Sequence, residues 1–423
     1  MSLSVKTLLR HVQDFGPCTI SETRLTKDHR PKLEVVLKAN RRHRARCSCC
    51  GEPAPRYDQQ PQRRWHYIAL WNFMVLFLYS PWRVNCARCG VKIEALPWST
   101  GKSPYSKALM HFLARWARRL SWKETAAIFH VSWDSVYRSV QWLVEWGLAH
   151  RNLSGVTALG IDELHWGKGK RSANFVTVIY QIDAGCRRLL WVGQRRTEAT
   201  LRGGLRALEA LHAGFCAGIT VVCSDMWKPY LKVVRTLLSA ALNILDPFHI
   251  ARHLHGALDE VRRGEQSRMN AAARARIKGA RFALLKRRSR VRGKARERLN
   301  DALVALKETS QAWVFKEAFR RFWRFRCPRW AGAWLRGWVQ TVKESGIKPM
   351  VRVATMLENH HELLLNYFRA KRQYTNAVTE GLNHKARVSL ARAYGHRSYD
   401  VLQIAMYHTL GELPEPSLTH RFC

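Results

Sequence analysis

Acidic residues are scarce in this 423-residue chain: 31 Asp and Glu face 72 Lys and Arg, a formal net charge of +41 with histidine neutral. That shortage excludes a self-neutralised surface. Such an excess repels itself in the compact state unless phosphates offset it, and each Lys or Arg on a phosphate backbone releases counterions. A polyanionic partner is therefore expected. Long hydrophobic runs are also missing: the longest apolar stretches, such as Trp71–Leu78, are short and flanked by charge, which leaves no membrane span. The opening Met1–Lys6 lacks the apolar core and small-residue cleavage site of a signal peptide, so a cytoplasmic location is expected. With no visible secretion signal and a long chain, the 11 cysteines do not read as a disulfide scaffold, which leaves reduced thiols and metal sites. Apolar residues, by contrast, are plentiful. At 47% hydrophobic with 17 Trp, the chain is no disordered basic tail, and nucleic acid outranks an acidic membrane as the partner. Its length fits two to four domains at roughly 100–200 residues each.

Four cysteines form two C-x-x-C-G knuckles, Cys47 and Cys50 before Gly51, and Cys86 and Cys89 before Gly90. Two tight turns, each presenting two thiolates and closing on a glycine free to take positive φ, can surround one tetrahedral zinc. The ion would supply folding energy that a small strand-rich module lacks. Cys49 is an alternative ligand to Cys47 or Cys50. Between the knuckles, His66–Leu70 and Phe73–Leu78 read as the strands of a zinc ribbon. Cys18, Cys186, Cys216, Cys223, Cys327 and Cys423 are scattered and read as core or surface residues.

From Tyr105 to Gly147 the pattern is helical, with Leu109, Phe112, Leu113, Trp116 and Leu120 recurring at three and four. Ser121 with Glu124 forms a capping box and Ser132 can cap the next helix, so two helices flank a tight turn. That is the order of a helix-turn-helix. Its second helix offers Trp133, Asp134, Ser135, Tyr137 and Arg138 to a major groove, of which Trp133, Ser135, Tyr137 and Arg138 are the candidate DNA contacts. The alternative is a helical hairpin that only packs.

After Gly155 come five strand-like runs: 156–163, 174–183, 188–194, 218–225 and 241–246, with helices over 198–212 and 227–240. Three strands followed by alternating helix and strand is the order of a ribonuclease-H-like mixed sheet. The acids Asp162 and Asp225 end the first and fourth strands, which are neighbours in such a sheet. Far downstream, Glu380 lies in the first turn of a helix, with Asn383 and Arg387 following. Two aspartates and a glutamate can hold two magnesium ions about 3.5–4 Å apart, one activating the attacking oxygen and one stabilising the leaving oxygen. Manganese can substitute. Lys385 and Arg387 can clamp the scissile phosphate or face solvent. His249 and His253 read as packing or as neighbours of the site, because magnesium prefers oxygen ligands.

Between these acids, residues 255–372 read as an all-α insertion rich in Ala, Leu, Lys and Arg. The basic tract 286–296, with Arg287, Arg288 and Arg290, suits DNA phosphates; a solvated helix face is the plainer reading. Trp330, Trp334 and Trp338 recur every four residues, which favours a core stripe over base stacking.

The runs Gly160-Ile161-Asp162-Glu163, Cys223-Ser224-Asp225-Met226-Trp227-Lys228-Pro229-Tyr230, Asp246-Pro247-Phe248-His249-Ile250 and Thr379-Glu380-Gly381-Leu382-Asn383 follow the paired knuckles in order. Together they resemble the bacterial insertion-sequence transposases of the ISL-three family over nearly the whole chain. The resemblance implies a DDE transposase with Asp162, Asp225 and Glu380 as metal ligands. It also implies an N-terminal zinc module, a helix-turn-helix for terminal inverted repeats, and an α-helical insertion before the glutamate. Val388-Ser389-Leu390 stands where a more basic stretch is common, which leaves local DNA contacts open.

The expected fold is therefore multidomain α+β and α/β. Residues 1–100 would form the zinc module, 101–153 the helix-turn-helix, and 154–254 the first part of a ribonuclease-H-like core. The all-α insertion would take 255–372 and the core's helical end 373–423. The expected activity is metal-dependent DNA cleavage at inverted repeats and transfer of the freed 3′-hydroxyl to target DNA, by a homo-oligomer on paired ends near the nucleoid. The competing readings are a zinc and helix-turn-helix regulator with a degenerate nuclease fold, and a structure-specific nuclease.

Overall fold

The computed structural model describes residues 4–40, 42–166, 174–374, 377–392 and 398–418. Cys423, Thr375 and Asn376 lie outside them. The chain divides into two compact units, one formed by residues up to Arg151 and from Ser389 onward, the other by Asn152–Val388.

In the first unit α1 (Val5–Val12) precedes two small sheets. β1 (Cys18–Leu25), β2 (Lys32–Ala39), β4 (Arg63–Leu70) and β5 (Phe73–Tyr79) make a four-stranded sheet in the order β1-β2-β5-β4. β3 (Arg56–Gln59), β6 (Trp82–Cys86) and β7 (Gly90–Ile93) make a separate antiparallel sheet, β3-β6-β7. This corrects the expected ribbon. His66–Leu70 and Phe73–Leu78 are strands, but Tyr67 and Phe77, with the preceding Trp65, are buried in the larger sheet's core against Trp98, while one cysteine knuckle precedes the smaller sheet and the other forms its β6–β7 turn.

α2 (Lys107–Trp116), α3 (Trp122–Ile128) and α4 (Trp133–His150) follow. Ser121 and Glu124 close the capping box at α3, and Ser132 Oγ accepts from the Ser135 N–H at the start of α4. The intervening turn puts His130 at φ 52°. α17 (Tyr399–Leu410) returns to pack on α4.

The second unit is built on β8 (Ala158–His165), β9 (Phe175–Gln181), β10 (Arg188–Gln194), β11 (Val221–Ser224) and β12 (Leu242–Leu245), ordered β10-β9-β8-β11-β12. β8, β9 and β10 are antiparallel neighbours; β8, β11 and β12 run parallel. Parallel neighbours require crossover helices. These are α5 (Glu198–Leu211) with the short α6 (Phe215–Gly218) and then α7 (Lys228–Leu237), whose Leu201, Leu205, Tyr230 and Val233 bury against Leu159, Ile161 and Ile179.

The helical segment comprises α8 (Pro247–Ser267), α9 (Ala271–Arg276), α10 (Ala280–Leu285), α11 (Lys294–Ala305), α12 (Lys307–Phe319), α13 (Pro328–Glu344), α14 (Lys348–Asn359) and α15 (His361–Arg369). α16 (Ala377–Arg392) follows. The position 254/255 lies inside continuous α8, and one apolar core runs from Leu245 and Ile250 through Leu335 and Phe368. In α13, Trp338 is buried and Trp334 partly so, but Trp330 in its first turn is 67% exposed and leaves the stripe.

Candidate functional site

The register of the parallel strands levels three aspartates. Cys223 on β11 pairs with Gly160 on β8, and Ser224 pairs with Leu245 on β12. Continuing each ladder puts Asp225 opposite Asp162 on one side and opposite Asp246 on the other, on strands roughly 5 Å apart. Asp225 and Asp246 directly follow the carboxyl ends of β11 and β12, and Asp162 lies within β8 just past its parallel ladder with β11, at the sheet edge where open α/β sheets place their ligands.

Glu380 reaches this edge on α16, which approaches because Gly160 has no side chain: an added methyl would collide with the Thr379 hydroxyl and press on Ile182. The helix is then tied down by buried Asn383, whose Nδ2 donates to Asp162 Oδ2 at 2.7 Å and whose Oδ1 accepts from Tyr180 Oη at 2.8 Å. The other oxygen, Asp162 Oδ1, accepts the Glu163 N–H at 2.8 Å.

Crowded, partly buried carboxylates hold protons more tightly. Burial, reinforced by the charges of Asp225 and Asp246, pushes Asp162 up to about 6. Burial and Asp225 raise Glu163 to about 7, although Arg196 counters at 3.0 Å. Glu380 is raised by burial and by Asp246. Arg196 also reaches Asp225 at 3.4 Å and lies 4.4 Å over the Trp227 ring. Asp246 Oδ1 caps α8 by accepting from Phe248 N–H, and its Oδ2 bonds His249 Nδ1 at 2.6 Å.

An all-oxygen set with surplus negative charge suits a hard divalent cation. Among the described residues, however, only Cys47, Cys50, Cys86 and Cys89 bring ligand atoms within 4.8 Å of one another; the acids are more widely spread. The cysteine geometry suits zinc, whose four thiolates at 2.3 Å stand about 3.8 Å apart. Cys50 Sγ and Cys86 Sγ are 3.6 Å apart, and Gly51 and Gly90 take φ 75° and 70°. Backbone N–H groups of Cys50 and Cys49 hold the Cys47 thiol down at about 7. Exposed Cys49 stays outside the quartet.

A family profile described as transposase matches residues 159–406, more than half of the chain. The chain belongs to the ISL-three family of transposases. It is 25% identical over 359 residues to the transposase for insertion sequence element IS1001 of Bordetella parapertussis, covering 84% of this chain and 86% of that one. It is 26% identical over 405 residues to the transposase for insertion sequence element IS1557 of Mycobacterium tuberculosis, covering 87% and 86%. Membership carries a DNA-processing role and divalent-metal use. The matched stretch holds Asp162, Asp225, Asp246 and Glu380; the cysteine quartet and α3 precede it.

The remaining candidates of this transposase fall in three places. On α4, Trp133 stacks on Tyr137 (5.7 Å, 9°) and leans on Trp122, Ser135 Oγ donates to Tyr105 Oη, and exposed Arg138 pairs with Asp134 at 2.8 Å. Arg287, Arg288 and Arg290 are exposed around a 3₁₀ turn, Arg288–Arg290. Lys385 and Arg387 are exposed on α16. His249, read as packing or as a neighbour of the site, pairs with Asp246, whereas Glu163, Arg196 and Asp246 were not among the candidate site residues. For the aspartate the available signal was its position ending a strand; for Arg196 no sequence pattern pointed to the acids.

Proposed function

We propose that this transposase binds the terminal inverted repeats of its element, cleaves there and joins the freed 3′-hydroxyl to target DNA. The levelled Asp162 and Asp225, with Glu380's helix tied to Asp162 through Asn383, carry this reading. The sheet order, three antiparallel strands followed by two parallel ones, supports a ribonuclease-H-like core, and α8–α15 an all-α insertion within it. Asp162, Asp225 and Glu380 would hold two magnesium ions, or manganese. Bound there, the metal supplies Lewis-acid stabilisation of the attacking and leaving oxygens.

The chain's own residues fix the geometry. Asn383 holds the Asp162 carboxylate and the α16 helix in one register. Arg196, stacked on Trp227, balances Glu163 and Asp225 and limits their mutual repulsion. Arg387 and Lys385 face outward beside Glu380, where a DNA phosphate would meet them. The α3–α4 pair would read the repeat as a helix-turn-helix, with Trp133, Ser135, Tyr137 and Arg138 near the groove; Arg138 must exchange Asp134 for phosphate or base. The cysteine quartet would hold a structural zinc. Pairing two element ends calls for a homo-oligomer.

The test is cleavage and strand transfer on duplexes carrying the native terminal repeat, in magnesium or manganese. Glu380→Gln and Asp225→Ala should each reduce cleavage by roughly a thousandfold or more, as expected for residues that act as a unit, with repeat binding retained. Retained cleavage in either variant removes the assignment. Tight binding without any cutting by the wild type, even in manganese, would favour a DNA-binding regulator.

A further inference from the structure

The helical segment contains a groove of about 1270 Å³ whose walls come from two separate stretches of chain. One wall is the 3₁₀ turn and α11, with Arg288, Arg292 and Arg296; the other is the end of α12 and the residues after it, with Arg320, Arg321 and Arg324. Nothing in the local sequence joins them. Buried Lys316 does: its Nζ donates to the carbonyls of Leu284 at 2.8 Å and Lys286 at 3.2 Å, pinning the arginine-bearing stretch to α12.

Charge in this groove is uncompensated. Seven arginines line it, and among the described residues none of them has an acidic partner in an ion pair. The lining acid, Glu317, sits 2.7 Å from the Lys316 ammonium and is engaged there. Nearby arginines behave differently: Arg262 and Arg281 both close on Asp259. So many unpaired guanidinium groups facing one space favour an anionic occupant with several charges.

The floor narrows the choice. Val291, Leu299, Leu303, Phe325 and Trp334 line it, and Arg288 lies 5.9 Å over the Trp313 ring. Phosphates alone leave an apolar, aromatic floor unfilled, as does a duplex whose bases are paired and stacked inward. An unpaired strand satisfies both surfaces, its phosphates on arginine and its bases on rings and aliphatic side chains. We propose that this groove binds an unpaired stretch of DNA strand. The inference rests on the transposase reading for its choice of DNA, and it adds a second binding surface apart from α3–α4 and from the acids.

The test uses full-length protein and fluorescence anisotropy with three probes: oligothymidylate of about ten nucleotides, an abasic strand of equal length and charge, and the terminal-repeat duplex. Wild type should bind oligothymidylate at least roughly tenfold more tightly than the abasic strand. Arg321→Gln combined with Arg324→Gln should weaken oligothymidylate binding by about 10–100-fold and flatten its salt dependence, with duplex affinity changed less than about threefold. Both arginines are exposed, so folding is preserved. Equal binding of the two single strands overturns the proposal, as does a proportional loss on the duplex. Duplex cleavage by the same wild-type preparation separates the two readings. Absence of cutting with a selective loss of oligothymidylate removes only the transposase chemistry, while cutting without base selectivity removes only the groove.

Discussion

Asn383 joins Asp162 and Tyr180 across 221 and 203 residues of sequence, and it is 2% exposed. Replacing it with Ala strands a buried hydroxyl and a carboxylate oxygen, which costs about 1–3 kcal/mol. Asn383→Ala should therefore lower the denaturation midpoint and slow single-turnover cleavage. Lost stability with unimpaired cleavage would leave Asn383 a packing role only. Asp162, Asp225 and Glu380 were legible as candidates because each sits at the end of a strand-like or the start of a helix-like run. The Asn383 bond and the Arg196 bridge were not, because each depends on where another segment arrives.

At the scale of elements, periodicity located β8 to β12, α5 and α7 with small errors at their ends. It also found the capping box of α3, since both halves of that motif lie within four residues. It assigned β4 and β5 to the wrong sheet, because strand pairing is decided by which apolar faces meet and the spacing of cysteines carries no information on that. The return of the chain after α17 was also invisible. There Glu415 reaches buried His111 on α2 at 2.8 Å and Arg118 at 2.6 Å. The His111 bond and Arg118 hold the Glu415 carboxyl down at about 2 from an ordinary 4.5. A depressed carboxyl stabilises the fold above its unfolded value and loses that contribution as pH falls through the folded one. Glu415→Gln should thus lower stability by roughly 1–2 kcal/mol at pH 7, discounted because the side chain is 24% exposed. The gap between wild type and variant should narrow as pH drops from about 4.5 towards 2. A gap independent of pH in thermal denaturation would mean the contact is one of packing.

For the whole molecule, the cysteine quartet predicts one zinc per chain, lost in Cys47→Ser and Cys86→Ser but kept in Cys49→Ser. Its removal by chelator should lower the thermal midpoint, because a three-stranded sheet of so few buried residues cannot stabilise itself. Metal analysis with parallel calorimetry measures both, and full stability without zinc would rule out the structural role. Sequence by itself determined the basic character, the four cysteines, the order of strands and helices and the motifs that mark the family. These are properties of composition and of short windows, where side-chain periodicity and ligand spacing are written directly. Only the tertiary structure decided that three aspartates share a level, that Gly160 admits the Glu380 helix, and that arginines more than twenty residues apart face one groove. Those depend on register and close approach between distant segments, which buried contacts select and no local pattern encodes.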